Sequence, residues 1–385
     1  MAIQRSTLVP ALAAGMLVAG CGKDARPPER PREFTQYQAV LRASSPEPVE
    51  FTAISGIDVD SRGNLYVADA VNVAVLSPDA RLLRRIGREG KGPGEFERVN
   101  VIRILAGDSV FAFDAGAARV TVFPPASDRA AYTTGLSTAG LFFPYWVQPV
   151  RGGALLALFR AAYGVGPDGG ERGVRRETIR LLNADASLRQ DSVLSFPEYE
   201  AVPIRQGPVQ GALFDPFGRR MLVALSGDRV YSAWSGDWRV EMHSVTGRYL
   251  GTIRPGAPPE PRPITPAELD SVVTLMMEGL PFSRATVQRA MEGTGRHTWP
   301  VLQDLVVDDG GRIWLAATGQ RGEPVHWIAT DEQGRRVGAF DLPESVRIHL
   351  IRGDTAYGVS LDDDDVPHVA IYDLKPVTSQ SRGRT

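Results

Sequence analysis

The sequence predicts an all-β fold, a six-bladed β-propeller of four-stranded antiparallel blades that carries a helical-hairpin insertion. The 385 residues include 40 glycines and 29 prolines, and so many turn formers suit a fold of short strands. A strand–turn–strand pattern with a glycine at its turn recurs along the chain, and several of its intervals match the length of a four-stranded blade. One stretch, "ITPAELDSVVTLMMEGL", breaks this pattern with helical periodicity.

Composition and charge exclude some classes of function. The formal net charge is −2, which argues against a general nucleic-acid surface. The hydrophobic share of 43% is enough for a sizeable core. Cys21 is the one cysteine, so an intrachain disulfide and a cysteine-based zinc site are both excluded.

The N-terminus reads as an export signal. Arg5 precedes an apolar run over residues 8–18 and a small-residue pair before Cys21, a pattern that predicts a signal peptide over 1–20. The run is too short to span a bilayer as a helix. "LVAGC" resembles the lipobox of bacterial lipoproteins, and this resemblance implies that Cys21 becomes the lipidated first residue. Charged, proline-rich residues 21–32 then form a flexible tether, which places the protein in the cell envelope, at the outer membrane or facing the periplasm.

The repeat is clearest at two places, "VDSRGNLYVAD" (59–69) and "VDDGGRIWLAA" (307–317). Weaker copies place further strand–turn–strand units between and after them. A second half-unit, as in "WIATDEQGRRVGAF" (327–340), supplies the other two strands of a blade. The predicted turn glycines are Gly63, Gly107, Gly153, Gly227, Gly311 and Gly353.

The last repeat is one strand short before the polar tail at 377–385. The strand-like segment at 34–43 precedes the first repeat. If it pairs with the last blade, the ring closes without open sheet edges. We therefore predict a propeller over 33–376, closed by its N-terminal strand.

These residues resemble a known family. "GNLYVAD…N" followed by "IGREGKGPGEF" is similar to the NHL repeat of six-bladed propellers in secreted bacterial proteins. The resemblance implies that Asp69 and Asn72 make hydrogen bonds inside a blade, and that the glycine-rich stretch connects two blades.

The glycine-rich stretch "GREGKGPGEF" (87–96) also raises the question of a phosphate loop. Such a loop needs Gly-Lys-Ser/Thr and a following helix. Here Lys91 precedes Gly92 and Pro93, and the next segment is strand-like. We therefore interpret these glycines as turn formers.

Residues 257–299 form the predicted insertion, between the fourth and fifth blades. Thr265, Pro266 and Glu268 match a capping box with proline at the first helical position. Ser283 starts a second predicted helix, which ends at Gly293. The insertion either pads the propeller or caps one face of it. In the second case its polar side lines a groove, and the candidate ligand-binding residues are Arg284, Arg289, Arg296, His297 and Trp299.

No recognisable catalytic or metal-binding pattern is found. The five histidines have no metal-ligand spacing, the acidic run "LDDDDVPH" (361–368) reads as a solvated hairpin tip, and there is no Gly-x-Ser-x-Gly motif. We predict no catalytic residues, no bound metal and no cofactor, although ligands drawn from different blades would leave no sequence spacing.

Two functional hypotheses remain. The first is a monomeric, lipid-anchored binding or scaffold module that recognises a protein, peptide or glycan at one face of the ring, without nucleic acid. The second is a metal-dependent propeller enzyme of the lactonase or lyase kind. Fold alone does not separate them.

Overall fold

The computed structural model describes residues 33–46, 49–137, 142–161, 176–207, 209–277, 282–362 and 364–377. The chain divides into a segment Met1–Glu33 and a compact unit Phe34–Thr385. The predicted signal peptide, Cys21 and the tether lie outside the described residues, as does the tail beyond residue 377. Within the described ranges, no helix is long and apolar enough to cross a membrane.

Four-stranded antiparallel sheets, with their strands in sequence order, follow one another along the chain. The first contains β2 (Ile54–Val59), β3 (Leu65–Asp69), β4 (Asn72–Leu76) and β5 (Leu82–Ile86). The second contains β6 (Val99–Ile104), β7 (Val110–Asp114), β8 (Arg119–Phe123) and β9 (Tyr132–Gly135). The third contains β10 (Phe142–Pro149), β11 (Leu155–Ala161), β12 (Arg176–Leu182) and β13 (Leu188–Pro197). After an inserted hairpin, β14 (Ala201–Gln206) and β15 (Val209–Phe214), the next sheet contains β16 (Met221–Ser226), β17 (Arg229–Trp234), β18 (Val240–Ser244) and β19 (Tyr249–Ile253).

The remaining strands form one eight-stranded sheet. One half contains β20 (Leu302–Val307), β21 (Ile313–Ala317), β22 (Val325–Thr330) and β23 (Arg336–Leu342). The other half contains β24 (Val346–Arg352), β25 (Thr355–Leu361), β26 (Pro367–Pro376) and β1 (Thr35–Ser44).

Strand β1 completes the last group, as the missing strand of the final repeat predicts. It pairs antiparallel with β26, from Tyr37↔Pro376 to Ser44↔Ala370. Its first residues also pair in parallel with β23, at Thr35↔Gly338. The N-terminal strand thus ties the end of the chain to the preceding group of strands.

The arrangement is propeller-like. The first strands of neighbouring groups contact one another: β6 contacts β2 and β10, β20 contacts β16 and β24, and β24 contacts β2. The turn glycines predicted from the repeat lie between the first and second strands of their groups, and every one of them has positive φ: Gly63, Gly107, Gly153, Gly227, Gly311 and Gly353.

The core lies between the sheets, so the middle strands are covered on both faces. All five residues of β3 and all five of β21 are buried, in place of the alternation of a half-buried strand. Trp314, Trp327 and Phe340 form the centre of one such layer, with Trp327 and Phe340 stacked at 6.0 Å between ring centroids. Packing between sheets therefore holds the repeats together.

Helices α1 (Pro266–Met276) and α2 (Arg284–Gly293) lie between β19 and β20. The predicted capping box is present: Thr265 accepts from the Glu268 amide, and Glu268 accepts from the Thr265 amide at 2.9 Å. Ser283 caps α2. The predicted helix end near Gly279 falls in 278–281, outside the described residues.

The apolar faces of the two helices pack on the hairpin β14–β15, a second insertion that enters before β16. Val202 and Ile204 of the hairpin share one buried cluster with Val273, Val287 and Met291 of the helices. The two insertions thus form a small layer with its own core.

Candidate functional site

A cavity of about 520 Å³ lies where the helical insertion leaves and rejoins the sheets. We name it the tryptophan pocket. Two indole rings, three arginines and three prolines contribute most of its wall. The lining residues are Arg219, Gly236, Asp237, Trp238, Arg239, Arg254, Pro258, Pro259, Pro261, Thr298, Trp299 and Val301.

Trp299 is held in place from two sides. Its ring meets Phe217 edge-on at 4.7 Å between centroids, and the Arg262 guanidinium lies 4.6 Å from its centroid. Its amide donates to the Arg262 carbonyl at 2.9 Å. These contacts fix the ring as a rigid wall of the pocket.

Arg262 also anchors the insertion to the sheets. It is buried, its Nη2 pairs with Glu268 Oε1, and its Nη1 donates to the Gly319 carbonyl at 3.0 Å. Burial acts to raise the pKa of Glu268, but the bonds from Thr265 and Arg262 outweigh it and hold the pKa below its usual value. The start of α1 is therefore tied to the loop that follows β21.

Trp238 comes from the turn between β17 and β18. It is half-buried and packs against the apolar cluster of this part of the ring. Its Nε1 is buried and has no hydrogen-bond partner within the described part of the chain. An unsatisfied buried donor costs about 1–3 kcal/mol, so an acceptor brought by a ligand would offset that cost.

The arginines give the pocket a positive character. Arg239 pairs with Asp237 at 3.0 Å, and Arg219 lies 3.4 Å from Glu200. Arg254 is exposed, and its side chain makes no ion pair with any residue that the structure describes. The pocket lining holds three guanidinium groups against the single carboxylate of Asp237.

The structure separates the five predicted binding residues. Trp299 lines the pocket, and the other four do not. Arg296 bonds Glu200 at 3.0 Å and also pairs with the buried Asp215. Arg284 pairs with Asp270 in the helical hairpin. Arg289 Nε donates to the Ala285 carbonyl at 3.1 Å, and His297 is exposed, with its carbonyl accepting from the Ile264 amide.

Sequence reasoning missed most of the pocket wall. Trp238 and Arg239 lie in "SGDWR" (235–239), which looks like an ordinary blade turn. Arg254 and the prolines lie in "RPGAPPEPRP" (254–263), the run that leads into the insertion. The high content of arginine and proline in this run is the one sequence feature that could have indicated the pocket.

The glycine-rich loop (87–96) folds around the Glu95 side chain, which lies within it. Glu95 Oε2 accepts from the Gly92 amide at 2.8 Å, where a phosphate loop would present its amides to a ligand. That bond, followed by Arg88, lowers the pKa of Glu95. A Cβ at Gly87 would stand 2.4 Å from the buried Phe96 ring, so this glycine permits a close packing contact.

Asp69 and Asn72 lie in the first four-stranded sheet. Asp69 accepts from the amides of Thr52 and Ala53 and pairs with Arg85, which also bonds Asn72. Both residues thus act inside a blade.

The acidic run is a hairpin tip between β25 and β26, where Asp362 accepts from His368. In the ranges that the structure covers, no three His, Cys, Asp or Glu residues are grouped as metal ligands.

No family model matches the sequence, and a search of curated proteins finds no match. Among solved structures, a Bacteroides fragilis protein described as exported gives a TM-score of 0.50 at 10% identity. The alignment covers 89% of this chain and 96% of that protein. A gluconolactonase of Xanthomonas campestris gives 0.44 at 13% identity, with 90% and 99% coverage. A virginiamycin B lyase of Staphylococcus aureus gives 0.40 at 11% identity, with 90% and 89% coverage. At such identities the likeness shows the propeller-type fold alone.

Proposed function

We propose that this chain is an exported, lipid-anchored binding protein, a six-bladed propeller of the NHL type that recognises its ligand at the tryptophan pocket. The observation that carries the proposal is the pocket itself: about 520 Å³, with Trp238 and Trp299 in its wall and a guanidinium excess. Aromatic and arginine side chains together are enriched where binding energy concentrates.

Six blades are the simplest account of the strand order. Each of the first strands is followed by a turn glycine with positive φ. The two parallel pairs between β1 and β23 join two four-stranded groups into one sheet. If β1 is assigned to β24–β26, the eight-stranded sheet becomes two blades and every blade has four strands.

The ligand follows from the chemistry of the pocket wall. The indole rings offer flat apolar surface to a sugar ring, a proline or an aromatic side chain. Arg254, which pairs with no carboxylate among the described residues, adds a positive charge at the rim. We therefore propose an acidic peptide segment or an acidic glycan as the ligand, held at the face of the ring that the insertions enter.

Tryptophan fluorescence tests this proposal. Acidic peptides and acidic oligosaccharides are titrated into the intact mature protein, and we expect the best ligands to change its emission. Trp238→Phe should weaken the response and the binding, whereas Trp314→Phe, a matched change in the core, should preserve the affinity if it folds. Failure of every acidic ligand to bind would contradict the proposal.

The alternative is a metal-dependent lactonase- or lyase-type enzyme. The same protein is treated with a chelator and then given calcium or magnesium. We expect an unchanged melting temperature. A rise of several degrees on adding the ion would indicate a native-state metal site and favour the alternative.

A further inference from the structure

Most first strands of the groups have a local irregularity. Five of them have a β-bulge, at which one residue is left out of the pairing register; strand β16 pairs without one. Bulges re-aim side chains and are common beside functional sites. The residues at these bulges, which we name the bulge ring, are Ser55, Asn100, Tyr145, Gln303 and His349.

Members of the bulge ring reach across to the next sheet. Ser55 Oγ donates to the Val99 carbonyl at 2.7 Å, and Asn100 Nδ2 donates to the Tyr145 carbonyl at 3.1 Å. All five residues keep contact with solvent. Contacts join the first strands in the order β10, β6, β2, β24, β20 and β16, as the strands around the central channel of a propeller are joined. On this propeller-like arrangement the bulge ring faces that channel.

Charged side chains surround the bulge ring, and most of them are basic. Arg352 pairs with Asp58 at 3.1 Å, and Arg347 lies 3.5 Å from Asp304. The Asp58 carboxylate is further occupied by the Ile104 amide at 2.8 Å. Both aspartates are therefore already engaged. A further carboxylate, Glu177, accepts from the Tyr145 hydroxyl at 2.6 Å and pairs with Arg160 at 2.7 Å.

Two further guanidinium groups have no carboxylate at ion-pair distance in the described ranges. Arg103 Nη1 donates to the Ile102 carbonyl at 2.8 Å, and Arg220 Nη2 donates to the Gln303 carbonyl at 3.0 Å. Burial lowers the pKa of both, and the nearby charges of Asp58 and Asp304 oppose this. Four arginines face the two aspartates, and the Arg160–Glu177 pair beside Tyr145 adds no net charge, so the bulge ring has a positive excess in a chain whose net charge is −2.

His349 adds a neutral donor to this positive site. Burial lowers its pKa to about 3, and the charges of Arg347 and Arg103 act in the same direction. At neutral pH its imidazole is therefore uncharged and presents one N–H and one acceptor nitrogen. Its ring makes no hydrogen bond to any residue that the structure describes.

We propose that the bulge ring and its arginines form a binding site for a small oxyanion, with Arg103 and His349 as the principal donors. Arg220 and Arg347 supply further positive charge. The ligand chemistry is a compact carboxylate, sulfate or phosphate group, free or at the end of a larger molecule. The site is independent of the tryptophan pocket, because it uses different residues.

The test uses the mature protein and two probes, sulfate and acetate, with chloride at equal ionic strength as the reference. Calorimetric titration and the melting temperature are measured at pH 7. We expect sulfate, acetate or both to bind with at least tenfold selectivity over chloride, and Arg103→Gln to reduce that affinity at least tenfold. If both bind equally, a carboxylate ligand and an inorganic oxyanion fit the site alike; a preference for one identifies the class.

Two controls keep the test decisive. Arg289→Gln changes an exposed arginine on α2 and should leave sulfate and acetate binding unchanged. If Arg103→Gln fails to fold, Arg347→Gln replaces it, since that side chain is 70% exposed. Equal stabilisation by chloride, or wild-type affinity in both channel variants, would overturn the proposal. Arg254→Glu should not alter oxyanion binding, so failure here is distinct from failure of the proposed function.

Discussion

At the residue scale, the sequence marks Arg296 as a candidate for ligand binding, whereas the structure gives it a structural role. It is an arginine beside a tryptophan, a combination typical of binding sites. Its partners, Glu200 and Asp215, lie 96 and 81 residues away in the chain, so no local pattern could reveal them. Burial raises the pKa of Asp215, and Arg296 opposes this shift.

Removing Arg296 should therefore destabilise the fold. In Arg296→Ala the Asp215 carboxylate stays buried without its partner, which we expect to cost about 3 kcal/mol of unfolding free energy. Arg289→Ala is the matched control and should cost no more than about 0.5 kcal/mol. Urea denaturation measures both, and equal small losses would show that the ion pair does not matter.

His349 predicts a dependence of stability on pH. Its pKa falls to about 3 in the folded state, against roughly 6.5 when unfolded. The unfolded chain therefore takes up the proton first, and stability is lost as the pH falls below roughly 6.5. The charged groups around the imidazole are Arg347 and Arg103; Arg347 lies 3.5 Å from Asp304, and Asp58 pairs with Arg352.

We expect the wild type to lose about 1 kcal/mol more than His349→Gln between pH 7.5 and pH 5, half of the full linkage value because the ring is partly solvated. Denaturation at the two pH values measures this difference. The matched control is His297→Gln, which removes an exposed imidazole outside the bulge ring. Identical slopes for His349→Gln and the wild type would exclude this source of acid sensitivity.

At the element scale, local sequence signals predict where a helix begins, but they do not predict which distant elements pack together. The capping box of Thr265 and Glu268 predicted the start of α1 because all its contacts lie within four residues. The hairpin β14–β15 was missed, since its apolar residues serve a cluster completed by α1 and α2. The pocket was missed for the same reason: its walls come from the β17–β18 turn and from both flanks of the insertion.

The shared core makes a prediction about the insertion. Replacing residues 264–296 by a short Gly/Ser linker removes the cover from Val202 and Ile204, which are buried in the intact protein. We expect amide exchange in β14 and β15 to rise by at least tenfold, because an isolated hairpin is marginally stable. Exchange in β3 and β21 should remain unchanged. Protection of the hairpin at its wild-type level would show that the helices only pad the ring.

At the scale of the whole molecule, the pairing of β1 with β26 closes the strand order. Deletion of residues 33–43 would expose the edge of β26 and remove its ladder. We expect the melting temperature to fall by on the order of 10 °C, with aggregation through the open edge. Deletion of 22–31 is the control and should have little effect. Equal, small effects of both deletions would contradict closure by β1.

Attachment to the membrane is the prediction that rests on sequence alone. Acyl chains contribute about 0.8 kcal/mol for each buried CH₂, and two or more make anchoring stable. Cys21→Ser should therefore move the mature protein from the membrane to the soluble fraction. Retention of this variant on washed membranes would show that a different feature anchors the protein.

The repeat could be predicted from the sequence because each blade repeats the same turn residues, whereas the proposed binding surface depends on insertions that do not repeat.

The central claim, ligand binding at the tryptophan pocket, is tested by the affinity of the strongest acidic ligand for two charge-reversal variants. Arg254→Glu alters the pocket rim, and Arg289→Glu alters an exposed helix position outside the pocket. We predict at least a tenfold loss of affinity for Arg254→Glu and less than a twofold change for Arg289→Glu. Equal affinities for both variants and the wild type would place the binding site elsewhere.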